Sequence, residues 1–196
     1  VIDINLGLLR FAGLAFPRTR VSALRGTPTK PRTFILDGPN IAGRVVPPQG
    51  QQPLRIDLER LIVPDTIPHD GARTNPRRVP SFTFLTKHLV LGDVDLGNLK
   101  LSAIATDNGL RFDSLYLISP LFDLSGTGAW TARAGKQQTN FAIQIHADEL
   151  RNVLLAAGVQ KQITNGGATR IDADLRWPGT PGEFSLHALD GEIQFQ

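Results

Sequence analysis

The residues best suited to chemistry do not assemble into a site along the chain. His69, His88, His146 and His187 are the four histidines, and no two share the spacing that brings imidazoles onto one metal ion. There is no cysteine, which excludes thiolate metal centres and a disulfide framework. Asp93 and Asp95, and again Asp172 and Asp174, stand two apart, so in a strand each pair shares one face. That arrangement could serve as the paired carboxylates of a polysaccharide-acting enzyme, but the wet side of an amphipathic strand explains it with less strain. Gly135-Lys136 resembles part of a phosphate loop, but Gln137 follows where Ser or Thr would hold magnesium, and the upstream glycine is missing. No serine sits in a Gly-x-Ser-x-Gly elbow. The expectation is therefore no catalytic residue, no metal and no cofactor.

Charge is the remaining lead. Residues 1–78 hold 12 Lys and Arg against 6 Asp and Glu, while the whole chain carries only +3. Arg18, Arg20, Arg25, Lys30 and Arg32 fall near one another, as do Arg73, Arg77 and Arg78. Such groups attract phosphate, whether on a lipid headgroup or a nucleic acid, or they are simply solvated. No aromatics interleave with them, so a nucleic-acid partner is not expected.

The elements that must position these residues are strands. Leu99, Leu101, Ala103 and Ala105 share one parity; so do Phe122, Leu124, Gly126, Gly128 and Trp130. Phe141, Ile143, Ile145 and Ala147 form another such set, as do Thr169, Ile171, Ala173, Leu175 and Trp177, and then Phe184, Leu186 and Ala188. Polar residues stand between most of them, and successive strand side chains point to opposite faces, so each segment has an oily and a wet side. Trp130 and Trp177 suit a core or rim position, or a lipid–water boundary.

Asp107-Asn108-Gly109, Ala134-Gly135-Lys136, Asn165-Gly166-Gly167 and Pro178 to Gly182 punctuate the strands as turns. Gly92-Asp93 and Leu96-Gly97-Asn98 predict very short pieces with shifts of register between them. Phe34 to Leu36, Ile41 to Val46 and Leu54 to Val63 are weaker strand candidates, and Ile4 to Phe16 reads as a strand or hairpin. Asp148, Leu150, Val153, Leu154, Ala157 and Gly158 predict one short helix near 148–157. Residues 64–80, rich in proline and arginine, predict a loop between two sheet segments.

The length of 196 residues, with 19 glycines, 14 prolines and 41% hydrophobic residues, suits a mostly β chain of many turns. No run is long enough for a transmembrane helix. Without a methionine, and strand-like at both ends, the chain is expected to be a single fragment, 1–196, of a longer domain.

From Val79 onward the ordered segments resemble the YhdP branch of the AsmA-like family. They include Leu96-Gly97-Asn98-Leu99, Leu115 to Pro120, Leu124-Ser125-Gly126-Thr127-Gly128-Ala129-Trp130, Leu154 to Gly158 and Leu175-Arg176-Trp177-Pro178-Gly179. Leu36 to Gly43 and Leu58 to Pro64 are similar to that family as well. The resemblance implies a curled antiparallel sheet forming an open hydrophobic groove, and transfer of phospholipid from the inner to the outer membrane. It implies a periplasmic location, with the parent protein anchored in the inner membrane by a segment absent here, and no catalytic residue.

Alternation alone favours a β-sandwich whose two oily faces pack together over that groove, and only the resemblance reverses the order. The groove reading implies a lining by Leu99, Leu101, Leu110, Phe112, Phe122, Leu124, Phe141, Ile143, Ile145, Ile171, Leu175, Phe184 and Leu186, with phospholipid acyl chains as the partner. A structural module of the envelope without a ligand is the alternative.

Overall fold

The computed structural model describes residues 2–11, 14–27, 31–63, 74–149, 151, 168–183 and 190–195. The fold is mostly β. The strands are β1 (Ile2–Phe11), β2 (Leu14–Leu24), β3 (Thr33–Asp37), β4 (Ile41–Val46), β5 (Leu54–Val63), β6 (Phe82–Leu91), β7 (Val94–Thr106), β8 (Gly109–Ile118), β9 (Asp123–Arg133), β10 (Lys136–Ala147), β11 (Thr169–Pro178) and β12 (Asp190–Phe195). They form one open sheet in which spatial order follows chain order, with β1 and β12 at its two edges. β1 to β5 pair antiparallel with their neighbours, as do β8 to β12, whereas β5 and β6 run parallel. Residues 64–73 of the connection between those two strands, most of the predicted helix near 148–157, and Phe184 and Leu186 lie outside the described residues.

Ile4 to Phe16 resolves into the β1–β2 hairpin, as a run interrupted by Gly13 should. The expected fragmentation around residues 92–98 does not occur. Gly92-Asp93 is a tight turn between two long strands, and Gly97 takes a positive φ of 68° inside an unbroken β7. The Gly97 amide donates to Asp95 Oδ1 at 2.8 Å, so the irregularity is satisfied within the strand.

Two compact units make up the chain, Val1–Arg73 with Pro80–Lys100, and Thr74–Val79 with Leu101–Gln196. In the first, Phe16, Leu36, Ile41, Ile56, Leu58, Leu61 and Val63 are buried together, with Val21, Val45, Phe84 and Leu89 packed against them. The burial follows local breaks in alternation. Arg18 adopts a φ of 49°, and both Phe16 and Thr19 are buried on either side of it. On β5 the inward set switches from Leu54, Ile56 and Leu58 to Leu61 and Val63, so Glu59 is an extra residue against β4, where the register shifts between Ala42 and Gly43. β6 switches in step, from Phe84 and Thr86 to Leu89. Lys87, where β6 changes its inward parity, reaches Glu59 at 2.9 Å.

In the second unit β8 to β12 are sequential neighbours. A 3-10 turn at Pro76–Arg78, capped by the Asn75 side chain accepting from the Arg77 amide, lies against β8 and β9.

Candidate functional site

Residues directly opposite one another in antiparallel strands share a face, so the register of the second unit defines rows that cross the strands. The first row is Leu110, Trp130, Thr139 and Trp177. The second is Phe112, Gly128, Phe141, Leu175 and Gly191. A third contains Leu115, Gly126, Ile143 and Ala173, and a fourth Leu117, Leu124, Ile145 and Ile171. Across five strands this face holds almost nothing that ionises.

Glycine and aromatic residues shape its centre. A Cβ at Gly128 would stand 2.5 Å from Phe141 Cδ1, so the missing side chain is what lets that ring lean over β9. The Phe141 ring there stacks on Phe112 with centroids 5.0 Å apart, and on Trp177 at 5.9 Å. Gly126 does the same for Ile143, whose Cγ2 would lie 2.9 Å from a Cβ. The polar atoms of the first row are tied off. Trp130 Nε1 donates to Gln137 Oε1 at 3.0 Å, Trp177 Nε1 to the Thr180 carbonyl at 2.9 Å, and Thr139 Oγ1 to the Gly179 carbonyl at 2.8 Å.

Eight of the sequence-predicted lining residues therefore meet on one face: Leu110, Phe112, Leu124, Phe141, Ile143, Ile145, Ile171 and Leu175. Phe122 packs just beyond the start of β9 against Ala147 and Ile171. Leu99 and Leu101 are half-buried on β7, the former in the first unit and the latter in the second. Sequence reasoning missed Leu115 and Leu117, because a register shift between Phe112 and Leu115 moves the apolar parity of β8 from even to odd numbers. It also missed the buried Ala173 as a member of the third row, and the whole apolar face of the first unit.

The opposite face of the second unit carries the polar groups. Asp172 accepts from Gln144 Nε2 at 2.7 Å and faces Arg170 at 3.3 Å. His146 bonds Gln144 at 3.1 Å, beside the same group. Asp93 falls in a turn and Asp95 holds the Gly97 amide, so that pair does not present two free carboxyls. In the first unit, burial pushes the Asp57 carboxyl up, but hydrogen bonds and charge from Arg55 and Arg44 outweigh it and hold the group below the ordinary carboxylate range. Among the described residues, no three His, Asp or Glu side chains converge as a metal site would require.

Such a chain is a β-sheet protein with a broad apolar face. The YhdP protein family model matches residues 1–196, and the chain belongs to that family. No curated protein and no solved structure matches it. Membership points to a lipid-transport protein of the cell envelope. Among the described residues no helix is long and apolar enough to cross a membrane.

Proposed function

We propose that this chain is a segment of a periplasmic lipid conduit, which shields phospholipid acyl chains as they pass from the inner to the outer membrane. The observation that carries this reading is the set of apolar rows crossing β8 to β12. A hydrocarbon chain lying along a row passes from strand to strand without meeting a charge. Each methylene exposed to water costs roughly 0.8 kcal/mol, so about 15 of them cost on the order of 12 kcal/mol. Leu, Ile and Phe offset that cost by non-directional contact, so no single hydrogen bond has to break as the chain slides. The parent protein is anchored in the inner membrane by a segment outside this chain.

Mass spectrometry of lipids co-purifying with the protein is the direct test, with phospholipid as the expected finding. Ile143→Asp should lower photo-crosslinking to a reactive acyl chain several-fold, with the fold retained by circular dichroism. Unchanged crosslinking would remove Ile143 and its row from the lining.

A further inference from the structure

At the hairpin ends of β8 to β10 the apolar rows give way to chain folded back over the sheet. The row next beyond Leu110, Trp130 and Thr139 is Asn108, Ala132 and Gln137. All three of its members hold the 3-10 turn. Arg77 Nη2 donates to the Ala132 carbonyl at 2.9 Å and to Asn108 Oδ1 at 3.5 Å, and Gln137 Nε2 donates to the Thr74 carbonyl at 2.9 Å. Pro76 is fully buried beneath, its Cβ 3.1 Å from where a side chain on Gly109 would begin. Residues 74–79 are thus a strap laid over the strand ends. Gln137 shares the parity of Thr139, Phe141 and Ile143, so the strap it holds stands on the apolar face.

A second turn, Pro181–Glu183, lies just after β11. The Thr180 carbonyl accepts from Trp177 Nε1, and the Gly179 carbonyl from Thr139 Oγ1. The Gly179 amide donates to the Gln137 carbonyl at 3.0 Å. Gln137 therefore joins both turns, and its side-chain oxygen also takes the Trp130 indole N–H. Burial follows from these contacts. Leu110, Trp130, Thr139 and Trp177 are each no more than 7% exposed. In the next two rows Phe112 and Ala173 are buried as well, but Phe141, Ile143 and Leu175 beside them are half-buried.

We infer that the strap and the Pro181 turn form a retaining lip along one side of the apolar face, with Gln137 as the positioning residue that fastens both. A hydrocarbon chain lies across the strands against Phe141, Ile143 and Leu175, alongside the lip, and does not reach Leu110 or Trp130. Sliding from strand to strand stays free. Leaving past the hairpin ends requires methylenes to enter water or the hydrogen bonds of the strap to break. This inference rests on the conduit reading and adds a boundary to it.

The test locates where a carried chain touches the protein. The 196-residue chain is mixed with a short-chain phosphatidylcholine, below its micelle concentration, that bears a diazirine on one acyl chain. After illumination, mass spectrometry assigns the adducts to residues. They should fall on Phe141, Ile143 and Leu175, with Leu110 and Trp130 together carrying about a tenth of the total or less. Gln137→Glu keeps an acceptor for the Trp130 indole but sets a carboxylate oxygen against the Thr74 carbonyl, which releases the strap. The share on Leu110 and Trp130 should then rise about threefold or more. Arg77→Gln removes the other fastening and should move the adducts in the same direction. It carries the test by itself should Gln137→Glu lose strand content by circular dichroism. Adducts on Leu110 and Trp130 of the unaltered protein as abundant as those on Phe141 would overturn the lip. So would an unchanged distribution in folded variants that only melt at lower temperature, which is how a merely stabilising strap behaves. No adducts at all would overturn the conduit reading itself.

Discussion

The two units use the same alternating strands to different ends. The first fills its inward face with large branched side chains and buries them nearly completely, Ile41 at 0% and Leu58 at 1% exposure. Its breaks in alternation are matched between neighbours, β5 and β6 switching together, so that no inward position is wasted. The second buries Leu110, Phe112 and Trp177 as completely, but sets Gly126, Gly128 and Gly191 among its apolar residues, with Phe141, Ile143, Ile145 and Leu175 half-buried beside them. Close packing of branched residues stabilises a fold; a face of rings laid over glycine leaves apolar surface in reach of another molecule. The units differ in how their apolar faces are built, and the glycine rows of the second leave Phe141, Ile143 and Leu175 as the positions at which the proposed acyl-chain contact is open to test.

That contrast can be broken by mutation. Leu58→Ala should cost about 2–5 kcal/mol in urea denaturation, whereas Leu175→Ala, at a half-buried position, should cost about 1–2 kcal/mol. Equal losses would abolish the distinction. Gly128→Ala should follow, at about 1–3 kcal/mol, because the new methyl meets the Phe141 ring and the β10 backbone. It should also separate the stacked rings, which near-ultraviolet circular dichroism would register as a changed aromatic signal.

The polar faces should matter less. Asp57 has a folded pKa held below its unfolded value, so its contribution is present above about pH 4 and is lost as pH falls through the lowered folded value. Asp57→Asn should therefore destabilise the protein at neutral pH by no more than about 1 kcal/mol, since both arginines are largely exposed, and the difference from the unaltered protein should vanish in strong acid. Smallest of all, Asp172→Asn with Asp174→Asn should leave acyl-chain crosslinking unchanged. A drop there would mean that the polar face takes part in lipid contact.

Much of the second unit was legible beforehand. The parity of Phe141, Ile143 and Ile145 and of Ile171, Ala173 and Leu175 needed only the two-residue period of a strand, and Asp107-Asn108-Gly109 announced its turn by residue type. In the first unit the same period misled. The inward residues of β5 change parity at Glu59, so a strict alternation count scores it as a weak strand; those of β2 change around Arg18, and the same count ends the first hairpin at Phe16. On β8 the shift after Phe112 hid Leu115 and Leu117 for the same reason.

By itself the sequence determined the strand content, the absence of any thiolate chemistry and the apolar parity of each regular strand, because these depend on residue types and on a local backbone period. Only the tertiary structure decided which parities line up into rows, where bulges reset them, and that Arg77 comes to rest on the Ala132 carbonyl. Register and long-range docking arise from pairing between distant segments, and a local period carries no information about which partner a strand meets or at which residue.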